Sequence, residues 1–184
     1  MPTKSSTTAA SAQDAFTLLK ADHKAVKALF KEFEGLSDDS REDEKRDLVQ
    51  QICDELTVHA QVEEEIFYPA VRAAIEDADL LDEAEVEHAT AKELIAQLNE
   101  MEPGDDLYDA KVTVLSEYID HHVKEEEGEM FPKAQKSKLD ADGLGREMSA
   151  RKQELKAELG ITDEALAMRT KRSDGSGRSS KASR

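Results

Sequence analysis

Four stretches of the chain repeat an apolar residue every three or four positions, the seam of a helix packed in a bundle. The first reads Phe16, Leu19, His23, Val26, Phe30, Phe33 and predicts a helix over about 14–34. The second reads Leu48, Ile52, Leu56, His59, Glu63, Ile66, over about 43–67. The third reads Leu81, Ala84, His88, Ala91, Ile95, Leu98, over about 82–100. The fourth reads Tyr108, Val112, Leu115, Ile119, His122, Glu126, Met130, over about 106–130.

Breaks separate these stretches. The polar run Ser37–Glu42 connects the first two, with Asp39 or Ser40 as N-cap of the second helix. Pro69 and Pro132 lack a backbone donor and predict a kink, a new helical start or an end. The segment Glu76–Leu80 is a further weak point, and Glu102-Pro103-Gly104-Asp105 is a turn signal. Gly143–Gly145 predicts another break, before a polar fifth helix over 146–159 that ends at Gly160, with one more short turn at 162–169. The expected organisation is a disordered segment 1–13, a four-helix bundle 14–135, a helical extension 136–169 and a disordered basic tail 170–184. The fold class is all-α, an up-down-up-down four-helix bundle.

Composition agrees. Charged residues make up 36% of 184 residues with only 8 Gly and 4 Pro, which suits helices and leaves no β-branched runs for strands. The formal net charge is −17; residues 171–184 hold five Lys and Arg against Asp174, a net +4, which leaves −21 on the rest. Such a body repels nucleic acid and anionic membranes. Cys53 is the only cysteine, so no disulfide forms within the chain. With no apolar run of about 18 residues and no apolar core in MPTKSSTTAASA, the chain is expected to be cytoplasmic and free of membrane.

Each seam places a histidine among apolar residues. In the second and fourth, a glutamate follows four residues later, on the same face one turn on. If the helices run antiparallel, residues equidistant from a loop share a level. The midpoint of His23 and His59 is position 41, and that of His88 and His122 is position 105, both inside predicted connections. All four histidines therefore converge on one layer. The hairpins also repeat: Glu63 and Glu126 each precede a proline by six residues, and Asp22-His23 corresponds to Glu87-His88. A repeated hairpin frames a pseudo-two-fold site for two metals. Facing buried carboxylates are costly unless cations neutralise them.

Imidazole and carboxylate without thiolate favour iron or manganese over a structural zinc. The metal ligands expected are His23, His59, Glu63, His88, His122 and Glu126, holding two ions, of iron or manganese ahead of zinc. His121 lies about 100° from His122 around the helix and is read as a surface residue or as one that supports a ligand from outside. Glu64, Glu65, Glu125 and Glu127 are read as solvated charge, and Tyr68, Tyr108 and Tyr118 as packing residues. No motif for a nucleotide, a haem or an organic substrate is present.

The pattern His23, His59-x3-Glu63, His88, His122-x3-Glu126 over about 14–135 resembles the hemerythrin-like, HHE cation-binding family. The resemblance implies an up-down-up-down bundle with a non-haem di-iron centre that meets dioxygen, nitric oxide or peroxide, or senses iron. The oxygen carriers of that family have a second histidine on the third helix, four residues after the first; here that position is Lys92. One ligand fewer leaves positions open to small molecules, which favours reaction with peroxide or nitric oxide over reversible oxygen carriage. The alternatives are a sensor or store without turnover, able to meet a protein partner through the C-terminal extension, and a bundle that uses a metal for structure only.

Overall fold

The computed structural model describes residues 13–36 and 42–161. Over these the chain is helical, with no strand. The elements are α1 (Ala15–Glu34), α2 (Glu42–Val62), a π-helical turn (Glu63–Phe67), α3 (Tyr68–Ala74), α4 (Ala78–Asn99), α5 (Tyr108–Glu125), a second π-helical turn (Glu126–Met130), α6 (Phe131–Gln135) and α7 (Ala141–Glu158). α1 packs on α2, α2 on α4, α4 on α5, and α5 back on α1, which closes the four-helix bundle. Among the described residues no helix is long and apolar enough to cross a membrane. The expected disorder of 1–12 and 170–184, the 37–41 connection with its cap and the turn at 162–169 lie outside the described residues.

The seams bury as the 3.6-residue period requires. The buried residues of α4 are Leu81, Ala84, His88, Ala91, Ile95 and Leu98, the predicted stripe itself. Asp14 starts α1 as an N-cap, its carboxylate accepting from the Thr17 N–H at 3.1 Å. The turn before α5 is closed by Asp105 N–H on Glu102 O at 3.0 Å, and Gly104 takes φ 97° there. That is the left-handed position of a type II turn, with Pro103 preceding it.

One departure from a regular helix shifts the phase. At the first π turn the Tyr68 N–H bonds the Glu63 carbonyl five residues back, and at the second Phe131 N–H bonds Glu126 O in the same way. The wider turn carries Phe67 into the core where an α-helix would place Ile66, so Ile66 is only partly buried. Each π turn leads into a proline, Pro69 or Pro132, near the start of the next helix. There the missing N–H interrupts the ladder at little cost.

The predicted break at Gly143–Gly145 is wrong. α7 starts at Ala141, capped by Asp140, and both glycines are helical. Gly145 is there for closeness: a Cβ would stand 2.1 Å from the Gln13 carbonyl oxygen. α7 packs on α1, α2 and the first π turn through Met148 and Leu155. We expect Gly145→Ala to destabilise the protein by about 1–3 kcal/mol, as overpacking against fixed backbone does. A denaturant titration checks this.

The core has two apolar parts. One holds Phe16, Leu19, Val62, Phe67, Ala84 and Phe131; the other holds Val26, Phe30, Leu56, Ala91, Ile119 and Val123. Every central helix passes from one part to the other through its histidine. The polar residues thus form a layer across the bundle.

Candidate metal centre

The six residues expected as ligands come together in that layer, all buried; Glu63 is fully buried and Glu126 is 1% exposed. Hairpin partners face each other as the midpoint argument requires. His23 and His59 rings lie 4.9 Å apart, and His88 and His122 rings 4.7 Å. Each histidine turns Nε2 inward. His23 Nε2 is 3.3 Å from Glu126 Oε2, and His59 Nε2 is 3.2 Å from Glu63 Oε2. His88 Nε2 is 3.4 Å from the same Glu63 oxygen and 3.1 Å from His122 Nε2.

Donor atoms fall into two groups, each within 4.8 Å: His23, His59, Glu63 and Glu126, and Glu63, His88 and His122. Glu63 belongs to both. Both Glu63 oxygens, Glu126 Oε2 and His23 Nε2 are buried without a hydrogen-bond partner. Orphaned buried acceptors of this kind need an unstated partner, and a cation between facing carboxylates supplies one. The donor set therefore fits a metal ion.

The opposite ring nitrogens meet a ring of outer carboxylates. His23 Nδ1 is 2.8 Å from Glu127 Oε1, His88 Nδ1 is 3.0 Å from Glu64 Oε1, and His122 Nδ1 is 2.8 Å from Glu87 Oε2. His59 Nδ1 faces Asp22 Oδ2 at 3.6 Å, too long for a hydrogen bond, while Lys152 of α7 holds the other Asp22 oxygen. A carboxylate on Nδ1 fixes the tautomer that presents Nε2 to a metal. The reading of Glu64 and Glu127 as solvated charge is thereby corrected. Glu65 and Glu125 do lie at the surface, on Arg151 and His121.

Tyr68 is a second correction. Its hydroxyl donates to Glu126 Oε1 at 3.0 Å and lies 3.1 Å from His88 Nε2 and 3.4 Å from His122 Nε2. It is a site residue rather than packing alone. Its counterpart in the second hairpin is Phe131, which stacks on the His23 ring at 6.1 Å. This pair breaks the two-fold symmetry: the Tyr68 hydroxyl holds one oxygen of Glu126, whereas the corresponding Phe131 has no hydroxyl to offer Glu63. The signal was in the repeat itself, since both residues follow a glutamate by five positions.

Electrostatics follow from burial. Desolvation pushes the Glu63 carboxyl well above its ordinary range, and the Glu126 charge adds to it. Burial lowers His59 to about 4. Burial also opposes charge on His23 and His122, but is outweighed. Glu126, Glu63 and Glu127 raise His23; Glu87, Glu126 and Glu63 raise His122. Cys53, pushed up to about 12 by burial, is inert packing. His121 is exposed, 3.3 Å from Glu125.

On the side of the layer away from Phe16, Phe67 and Phe131 lies a cavity of about 20 Å³. Its wall combines the four histidines with Val26, Leu56, Ala91, Ile95, Ile119 and Val123. That volume accommodates a molecule the size of water or a diatomic.

Comparison with known proteins agrees with this geometry. A family described as the hemerythrin HHE cation binding domain matches residues 14–134. The fold is similar to the crystal structure of a hemerythrin HHE cation binding domain-containing protein from Mycobacterium kansasii. The TM-score is 0.68 at 23% identity, over 85% of this chain and 99% of that one. A protein named DNA nickase from Nostoc sp. (strain PCC 7120 / SAG 25.82 / UTEX 2576) is 31% identical over 114 residues. The match takes in 62% of this chain and 31% of that relative, so the chain spans about a third of its length. With its helical bundle and its layer of histidines and glutamates able to hold a metal, the chain belongs to the hemerythrin HHE cation-binding domain family.

Proposed function

We propose that the layer is a non-haem di-iron centre, held by His23, His59, Glu63, His88, His122 and Glu126, that reacts with a small oxidant. The observation that carries this reading is Glu63: one fully buried carboxylate shared by two donor groups, with both oxygens unpartnered. A carboxylate so placed can bridge two ions. Iron bound there supplies redox change and Lewis acidity. The protein supplies the rest. The outer carboxylates fix the imidazoles, and the Tyr68 hydroxyl turns Glu126 toward His23 and keeps an O–H donor inside the layer. The apolar cavity admits peroxide, nitric oxide or dioxygen and no organic substrate. Nicking of nucleic acid is not carried over from the Nostoc relative, since the net charge of −17 repels phosphate.

Hydrogen peroxide mixed with iron-loaded protein tests the reading. We expect turnover or a change in the visible spectrum, lost in Glu63→Ala and His122→Ala. Neither turnover nor a spectral change in the loaded wild type would overturn it.

A further inference from the structure

Two spaces lie on either side of one lysine. The inner one is the cavity beside His88 and His122. The outer one is a surface pocket of about 500 Å³, walled in part by Glu64, Tyr68 and Arg72. Among the described residues, Lys92 is the one side chain common to both walls. It sits one helical turn after His88, so its stem lies over the ring. Its ammonium group is outside, 2.5 Å and 2.7 Å from the two oxygens of Glu64. Glu64 in turn meets His88 Nδ1. On the far side of the layer the core is filled by Phe16, Phe67 and Phe131, which pack ring against ring.

The geometry points to Lys92 as the gate through which a small neutral ligand reaches the centre, an inference that rests on the two-ion reading above. The closed state is the Lys92–Glu64 pair. Such a half-exposed ion pair is weak in water, and an exposed side chain changes rotamer quickly. When Lys92 swings out, the outer pocket joins the inner cavity; when it returns, Glu64 is again fixed against His88. The counterpart of Lys92 in the other hairpin is Lys27, also four residues after its histidine. Lys27 pairs with Asp120 at 3.0 Å and lines neither space. Lys27 therefore serves as the control for Lys92.

The test is the rate at which nitric oxide binds the iron(II)-loaded protein, followed by absorbance, with iron per chain measured on the same samples. Nitric oxide is neutral, so loss of the lysine charge does not itself alter its approach. Lys92→Ala should bind about fivefold faster, because no ion pair then holds the passage shut for most of the time. Lys92→Arg should stay within about twofold, as it keeps a long tethered cation. Lys27→Ala should match the wild type, and all variants should keep two ions. Wild-type speed in Lys92→Ala would overturn the gate. So would equal acceleration in Lys27→Ala, or loss of an ion in Lys92→Ala, which would show the lysine acting only through Glu64 and His88. A wild type with fewer than two ions would instead overturn the two-ion reading, and is recognised before any variant is compared.

Discussion

Glu63→Gln is expected to abolish loading of the second ion while leaving the metal-free protein folded and more stable than the wild type. Both effects come from the same carboxylate. Loss of an outer carboxylate typically costs about 10–100-fold in metal affinity, and a shared ligand costs more. Glutamine keeps the shape but cannot bridge, so stoichiometry should fall from two ions to at most one. Without metal the sign reverses. Glu63 is buried with no hydrogen-bond partner for either oxygen and faces Glu126, so its carboxyl holds a proton well above the ordinary value of 4.5. A group whose folded pKa is raised stabilises fully at pH below its unfolded value and loses that contribution as pH rises through the folded one. The wild type should therefore lose stability from about pH 4.5 upward, and Glu63→Gln should lose less, through His23 and His122 alone. Replacing a buried charge by a neutral isostere is worth about 1 kcal/mol or more. Denaturant titrations of the two metal-free proteins at pH 5 and pH 8 should show the gap widening with pH. A metal-free Glu63→Gln less stable than the wild type at pH 8 would count against an uncompensated Glu63.

Removal of metal is expected to be the largest stability change available to this protein. Six polar side chains occupy the middle of the core, and several of their atoms have no partner. An ion present at a thousand times its dissociation constant adds about 4 kcal/mol. For a domain of this size that raises Tm by about 8–16 °C per ion. Acid should erase the gain, because metal binds deprotonated ligands. In the metal-free protein Glu63, His23 and His122 have raised pKa values and hold protons that the ions must displace. His59, at about 4, is already neutral and contributes nothing above pH 5. The difference in Tm between loaded and metal-free protein should therefore shrink as pH falls from 7.5 to 5.5. A difference independent of pH would mean that these groups are not the ones that hold the metal.

Much of this architecture was legible because a bundle helix repeats its burial every 3.6 residues. The α4 stripe and the level of the histidines followed from spacing alone. What spacing could not show was a change of helical type. The π turns move Phe67, Tyr68 and Phe131 inward relative to a regular helix, a shift that a 3.6-residue seam running through Ile66 does not contain. The prolines six residues after Glu63 and Glu126 marked the places without saying what happens there. Glu64 and Glu127 were missed for a related reason. They stand about 100° around the helix from Glu63 and Glu126, a phase that normally reaches water. Here it reaches the Nδ1 of a histidine on a neighbouring helix. Gly143 and Gly145 looked like a break because glycine weakens helices, but close approach of another backbone to Gly145 outweighed propensity.

The central claim is a dinuclear site built around Glu63, and metal content tests it most directly. Metal-free protein should be loaded anaerobically with iron(II), freed of excess metal, and analysed for iron and protein together. The account predicts two iron ions per chain. A saturated sample that holds one ion or none would contradict it.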